Sequence, residues 1–322
     1  MKVKLLSLCG LLAVAFAACD DPKDNLIKDP VTDLSVDCIK RSLPTMPNIV
    51  GQPIEFVCAA AIPTQLGRVT SGEVVASIEG ADNTYIDQNS YHTNTGGADV
   101  PVKIATSASV NAGGKTTLNI DVDTCAVALR YNYYPTAAAK GKKVQFTFTA
   151  KASNGSVATA DLGSYLVSAM DMTKGVSLEK GTKCYISFHD ADAAIKVVNS
   201  AAEADLVYNY DAKADLTHGF FAGDAPTNLC PGVDLSGVAA TRIKEAGNLR
   251  DRQLADLKYD NVVDDLDLQQ IDVTKGGQAY CIKLGAEYGF WYQTADGKYK
   301  GYVYVNSISA NKITISAKRL AM

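Results

Sequence analysis

Three histidines set a tight limit on acid-base chemistry in this chain of 322 residues. His218 shares a segment with Phe220 and Phe221, a combination that suits a ligand pocket in which a ring nitrogen hydrogen-bonds and aromatic faces pack. Aromatics folding back over a sheet face explain the same residues and outweigh the pocket. His189 stands beside Asp190 and Asp192, where an imidazole and two carboxylates can meet a metal or a substrate. A simpler account has Asp190 capping a helix and Asp192 favouring its first turn through the helix dipole. His92, in the loop-like run Ser90-Tyr-His-Thr-Asn-Thr-Gly-Gly97, has no partner in sequence and reads as surface.

Beyond the histidines, the aromatic run Tyr288-Gly-Phe290-Trp291-Tyr292 continues to Tyr299, Tyr302 and Tyr304. Strand alternation sends Phe290 and Tyr292 to one face and Trp291 to the other. An exposed Trp would suit sugar rings or a protein partner, although core or inter-domain packing is the better fit. Asp264, Asp265 and Asp267 offer oxygen to a hard cation but lack the Gly and terminal Glu of a calcium loop, so a solvated acidic stretch is the expectation. Arg242, Lys244, Arg250 and Arg252 are interleaved with Glu245, Asp251 and Asp256, as on a salt-bridged helix face. The chain has no GxSxG, HExxH, GxxxxGK[ST] or GxGxxG, so the enzyme classes those mechanisms announce lose weight. No metal or cofactor is expected. His218, Phe220, Phe221 and Trp291 remain the candidate ligand contacts.

The elements that must position these residues fall into two groups. Residues 31–170 alternate apolar and polar positions in seven or eight short strands, clearest at 125–134 and 144–150, where Val144, Phe146, Phe148 and Ala150 share one face. An immunoglobulin-like β-sandwich is expected there. Residues 171–322 form a mixed α+β domain. A strand at 183–188 is followed by Ala191, Ala194, Ile195, Val198 and Ala202 at helical spacing, then by a strand at 205–210, which predicts a parallel pair joined by a helix over 190–203. An irregular segment spans 211–241, a helix is expected from Asn248 to Lys258, and an antiparallel meander closes the chain with a two-residue turn at Asp296-Gly297. The fold class is thus mainly β with α+β character.

The first 18 residues carry Lys2 and Lys4, then an apolar run ending Phe16-Ala-Ala18 before Cys19, the order of a secretory signal. Residues 19–30 are polar and proline-bounded, a tether. The apolar run is too short to span a bilayer, and no later stretch approaches the roughly 18 apolar residues a helical span needs. A net charge of −4 gives no electrostatic reason to expect nucleic acid. Beyond Cys9 and Cys19, six cysteines remain, three in each domain. Small buried hydrophobes are the favoured reading, disulfides are permitted in an oxidising compartment, and Cys230 beside Pro231-Gly232 is the expected exposed thiol.

Cys19 after two alanines resembles the lipobox of bacterial lipoproteins, which implies a lipid on this sulfur and attachment to the membrane through it. Together with Asp20-Asp21, Leu129-Arg-Tyr-Asn-Tyr-Tyr134, Ala204-Asp-Leu-Val-Tyr208, Leu249-Arg-Asp-Arg252 and Thr294-Ala-Asp-Gly297, the chain resembles uncharacterised two-domain surface lipoproteins of Bacteroidetes. In that group the acidic residues after the lipidated Cys resemble a surface-export signal, whereas in enteric bacteria an Asp there resembles an inner-membrane retention signal, so the phylum decides the membrane. The resemblance implies an outer-membrane or cell-surface protein, more a binder than an enzyme, taking a glycan or an outer-membrane protein partner between its domains. A fimbrial or adhesin subunit and a carboxylate hydrolase using residues such as Asp190 or Asp265 are the alternatives.

Overall fold

A computed structural model describes residues 32–43, 46–212 and 217–322. The expectations for Cys19, Asp20 and Asp21 lie outside the described residues. Both domains are sandwiches of two five-stranded sheets, and every strand pair in them is antiparallel.

The first sandwich comprises β1 (Ser35–Lys40), β2 (Ile54–Ala61), β3 (Val69–Ala76), β4 (Tyr85–Thr93), β5 (Asp99–Lys103), β6 (Val110–Ala112), β7 (Lys115–Asn119), β8 (Ala126–Tyr133), β9 (Lys143–Ala152) and β10 (Val157–Leu166). One sheet runs β1-β2-β8-β4-β5, the other β10-β9-β3-β7-β6. The two-residue period of β9 buries Val144, Phe146, Phe148, Ala150 and Ala152 against Phe56, Tyr131 and Tyr133 of the facing sheet. Phe146 meets Phe56 and Tyr133 with ring centroids 4.9 Å apart in each case. Cys38 and Cys58 stand opposite each other in β1 and β2 and form a disulfide. Here the favoured reading of the cysteines as isolated hydrophobes gives way, because the register puts the two sulfurs side by side.

The second sandwich comprises β11 (Asp171–Glu179), β12 (Tyr185–Ser187), β13 (Lys196–Val198), β14 (Leu206–Asp211), β15 (Thr217–Phe221), β16 (Arg242–Gly247), β17 (Tyr280–Leu284), β18 (Gly289–Gln293), β19 (Tyr299–Ser309) and β20 (Lys312–Ala321). Its sheets run β11-β20-β19-β18-β16 and β13-β12-β14-β15-β17. Two short helices, α1 (Arg252–Ala255) and α2 (Asp265–Gln270), lie on the outer side of β19 and β20. They make a third layer, and β20 is consequently buried on both faces from Ile315 to Leu320. The mainly β class with helical additions holds, but the helices sit elsewhere than expected.

The helix over 190–203 is absent. Arg319 donates to the carbonyls of Phe188 (2.7 Å) and Asp190 (2.6 Å), and Asp190 Oδ1 accepts from the amides of Asp192 and Ala193. Asp190 thus bonds these amides as a helix cap would, but the first helical bond is not made, because Arg319 takes the Asp190 carbonyl and the Ala194 amide donates to Thr173 Oγ1 (2.9 Å). The β-branched run Ile195-Lys-Val-Val198 enters an edge strand instead. β12 and β14 pair antiparallel, not parallel, and β13 lies on the other side of β12 and runs in the same direction as β14. From 248 to 258 only α1 is helical: Asp251, not Asn248, caps it, and Asp256 ends it with φ of 53°. The turn expected to be a two-residue one at Asp296-Gly297 is longer: Gly297 donates to the carbonyl of Thr294, and only Gly297 has positive φ.

Candidate functional site

The residues singled out in sequence scatter. His218, Phe220 and Phe221 lie not in a loop but on β15, buried in the second sandwich. Phe220 packs on Phe290 and Tyr208, and the Tyr208 hydroxyl lies 2.7 Å from His218 Nδ1. Burial holds the His218 pKa below its ordinary value, so the imidazole is neutral. Because β15 is buried on both faces, its sequence shows no alternation, which is why it reads as loop. Trp291 is half-buried on β18 against Tyr302. None of these four residues lines any of the three surface cavities described below.

The remaining candidates are engaged as structure. His189 sits between Asp205 (3.0 Å) and Asp296 (3.3 Å), tying the end of β12 to the β18–β19 hairpin. Burial raises the Asp296 pKa, yet hydrogen bonds from Thr294, Lys298 and His189 outweigh it and hold the carboxyl well below the usual range. Asp190 pairs with Lys196. Asp264 and Asp267 form a capping box at the start of α2, and Asp265 accepts from Ser168 and Ala169. In the basic cluster, Arg242 grips Asp224, Lys244 donates to the Asp272 carbonyl, and Arg250 pairs with Asp260 and Glu287. His92 is exposed, as a surface residue should be. Cys230 is buried, not exposed, and burial pushes its thiol up to about 11.

Where the chemistry does converge is the junction of the two sandwiches. An apolar seam of Ile49, Met170, Leu254, Leu268, Tyr302 and Leu320 joins them. Residues 46–49 run along this seam as a ridge. Asn48 Nδ2 donates to Leu166 O (2.8 Å), the Ser168 amide donates to Asn48 O (2.7 Å), and Gln253 Nε2 reaches across from α1 to Pro47 O (3.0 Å). Lys140 from the first sandwich pairs with Asp171, which also takes Arg319.

A cavity lies on each side of the ridge. One, of about 420 Å³, takes Arg41, Gln52 and Glu55 from the first sandwich and Lys174, Arg252 and Asp256 from the second. Arg41 and Glu55 are 3.3 Å apart, and Lys174 pairs with Asp256, so donors and acceptors stand on both walls. The other, of about 440 Å³, is bounded by Lys40, Tyr165 and Leu166 on one side and by Asp264, Asp265 and Leu266 on the other. Arg252, Asp256, Asp264 and Asp265 stand out in the sequence, though for other roles, and the remaining lining residues do not. The available signal was the proline spacing of Leu43-Pro-Thr-Met-Pro-Asn-Ile-Val-Gly-Gln-Pro53, which marks a rigid connection between strands.

Residues 31–167 match a family described as a domain of unknown function (DUF4466), and residues 168–322 match a second domain of unknown function (DUF8576). A crystal structure of a DUF4466 family protein from Parabacteroides merdae is 46% identical, covers 91% of this chain and 100% of its own, and superposes with a TM-score of 0.88. The chain belongs to the DUF4466 family. No curated protein matches it. Other solved structures share far less with this DUF4466 protein. The major pilin subunit BcpA of Bacillus cereus is 10% identical with a TM-score of 0.31, covering 88% of this chain and 66% of its own. A fragment of the major pilin GBS80 of Streptococcus agalactiae is 11% identical with a TM-score of 0.27, covering 88% and 91%. Both are too distant to bear on how this chain works.

Proposed function

We propose that the protein is a lipoprotein of the outer membrane or cell surface, held by lipid on Cys19, that captures a glycan in the groove between its sandwiches. The groove of about 420 Å³ carries the reading, because charged and amide side chains from both domains converge on it. Sugars present dense hydroxyl donors and acceptors, and such a lining can meet them on two sides at once. A stable protein interface is built around buried aromatic anchors, and the described lining of this groove holds no aromatic side chain, only Leu43, Met46, Leu257 and two prolines beside its polar groups.

The anchor reading is supported by topology. Asp33, just before β1, accepts from Ser156 at the β9–β10 turn, whereas the junction lies at the Leu166 end of β10. A tether leading back to Cys19 would leave the first sandwich at the end far from the junction, with the second sandwich and the groove directed outward. A relative from Parabacteroides merdae, a member of Bacteroidetes, agrees with the family resemblance from which the surface assignment is drawn.

The test is binding of soluble glycans by the purified chain, with Lys174→Glu and Gln52→Ala as groove variants. Loss of binding at unchanged thermal midpoint is expected. Glycans bound equally well by both variants, or groove-dependent capture of a polypeptide alone, would overturn the assignment. For the anchor, Cys19→Ala should move the protein from the membrane fraction to the soluble one, and retention would refute it. Asp20→Ala with Asp21→Ala should lower labelling of intact cells.

A further inference from the structure

The outer face of the first sandwich carries polar groups in register with the groove. On that face Glu55 of β2 stands opposite Asn132 of β8, and Asn132 stands opposite Tyr85 of β4. Neighbouring strands are about 4.8 Å apart, so the row spans roughly 10 Å from the groove wall at Glu55 to Tyr85, the width of a couple of sugar rings. Asn132 is 9% exposed, and its amide makes no side-chain hydrogen bond among the described residues. Its amide still touches solvent between the half-buried Glu55 and the exposed Tyr85, so it is open to a ligand that follows the row.

At the end of the row is a third cavity, of about 510 Å³, lined by Tyr85, Tyr134, Asp82 and Asn83 together with the start of β4. Tyr85 is 41% exposed, a large aromatic face at the mouth of a polar cavity. Burial raises its hydroxyl pKa, with further contributions from Tyr134, Asp87 and Glu55. The other polar groups nearby are already engaged: Asp87 accepts from Asn89 and Tyr91, Gln88 donates to the carbonyls of Ala105 and Thr106, and Ser109 accepts from Ile86. What the cavity leaves for a ligand is an aromatic face, two phenol hydroxyls, one amide and one carboxylate. That set suits a pyranose ring, whose C–H face packs on an aromatic and whose rim hydroxyls need both donors and acceptors.

We infer that Tyr85, Tyr134 and Asn83 form a second saccharide subsite and that Asn132 links it to the junction groove, so that one extended oligosaccharide occupies both. The inference rests on the glycan reading of the groove and adds chain-length selectivity to it.

The experiment is titration of neutral oligosaccharide series, α-linked mannose, β-linked galactose and β-linked N-acetylglucosamine, from one to six units. Wild type, Tyr85→Ala, Tyr85→Phe, Asn132→Ala and Lys174→Glu are compared, with thermal midpoints recorded for each. Affinity is expected to climb with length and then level off. Tyr85→Ala should weaken the long members about tenfold, remove the length dependence and leave the shortest binders unchanged. Tyr85→Phe should stay within about threefold of wild type because the ring face is kept. Equal affinities of Tyr85→Ala and wild type along the series, or no binding by any member, would overturn the inference. Binding abolished by Lys174→Glu but indifferent to Tyr85→Ala would keep the groove and remove the subsite. The reverse pattern would keep the subsite and remove the groove.

Discussion

The two sandwiches share a plan of five strands facing five, yet they place polar residues in opposite ways. The first keeps charge on its faces, around cavities, and closes its core with aromatics and a disulfide. The second takes charge inside. Lys318 and Asp251 are both fully buried, 2.8 Å apart, with Asp251 also capping α1 and accepting from Val263. Arg319, one residue on and facing the other way, is 2% exposed and joins Asp171 to the Phe188 and Asp190 carbonyls. The difference follows from the layers. β20 lies between the facing sheet and the α1–α2 layer, so neither of its faces reaches water and its two cations need built partners. The first sandwich has bare outer faces and can hold its polar groups ready for a ligand.

Breaking the Lys318–Asp251 pair should produce the largest effect. Lys318→Met leaves a buried carboxylate without its cation and is expected to cost about 3–5 kcal/mol in urea unfolding. Burial lowers the Lys318 pKa while Asp251 pulls it up, so the pair depends on its partner and not on solvent. A loss of less than 1 kcal/mol would mean that water reaches the site. For the first sandwich the matching test is Cys38→Ala with Cys58→Ala. The bridge spans a sequence separation of 20, and opening a loop of that size should cost about 3 kcal/mol.

How far each sandwich could be read from sequence reflects the same contrast. Alternation in β9 is visible because one face meets the core and the other meets water. On β15 both faces are buried, so Thr-His-Gly-Phe-Phe221 carries no period and reads as loop, whereas β20 is legible as a strand over 313–318 but its sequence does not show that Lys318 and Arg319 are buried. The false helix over 190–203 arose because Arg319, distant in sequence, takes the carbonyls of Phe188 and Asp190. The groove was illegible for a related reason: Glu55 and Lys174 become neighbours only through the docking of two domains along Ile49 and Met170.

A smaller, pH-dependent difference should separate the sandwiches as well. His218 is buried neutral, so its folded pKa lies below the unfolded value of about 6.5. The unfolded chain binds the proton first, and stability is lost as pH falls through about 6.5 toward the lowered folded value. His218→Gln should flatten the unfolding profile over that window, and a profile parallel to wild type would show that His218 is not neutral in the fold. The smallest effect is expected at Tyr292, whose hydroxyl is buried without a partner while its ring lies 3.6 Å from Phe188. Tyr292→Phe should change stability by less than about 1 kcal/mol, or raise it, because no hydrogen bond is lost. A loss above 2 kcal/mol would reveal a bound water.

Glycan capture between the domains is tested most directly by hydrogen exchange on the intact chain with and without a saturating oligosaccharide from the series above. Slowed exchange is expected in both walls of the groove, at residues 46–56 of the first sandwich and 251–257 of the second, while the buried strands β9 and β20 keep their rates. Protection confined to one sandwich, or none at saturation, would contradict a binding site built by the junction.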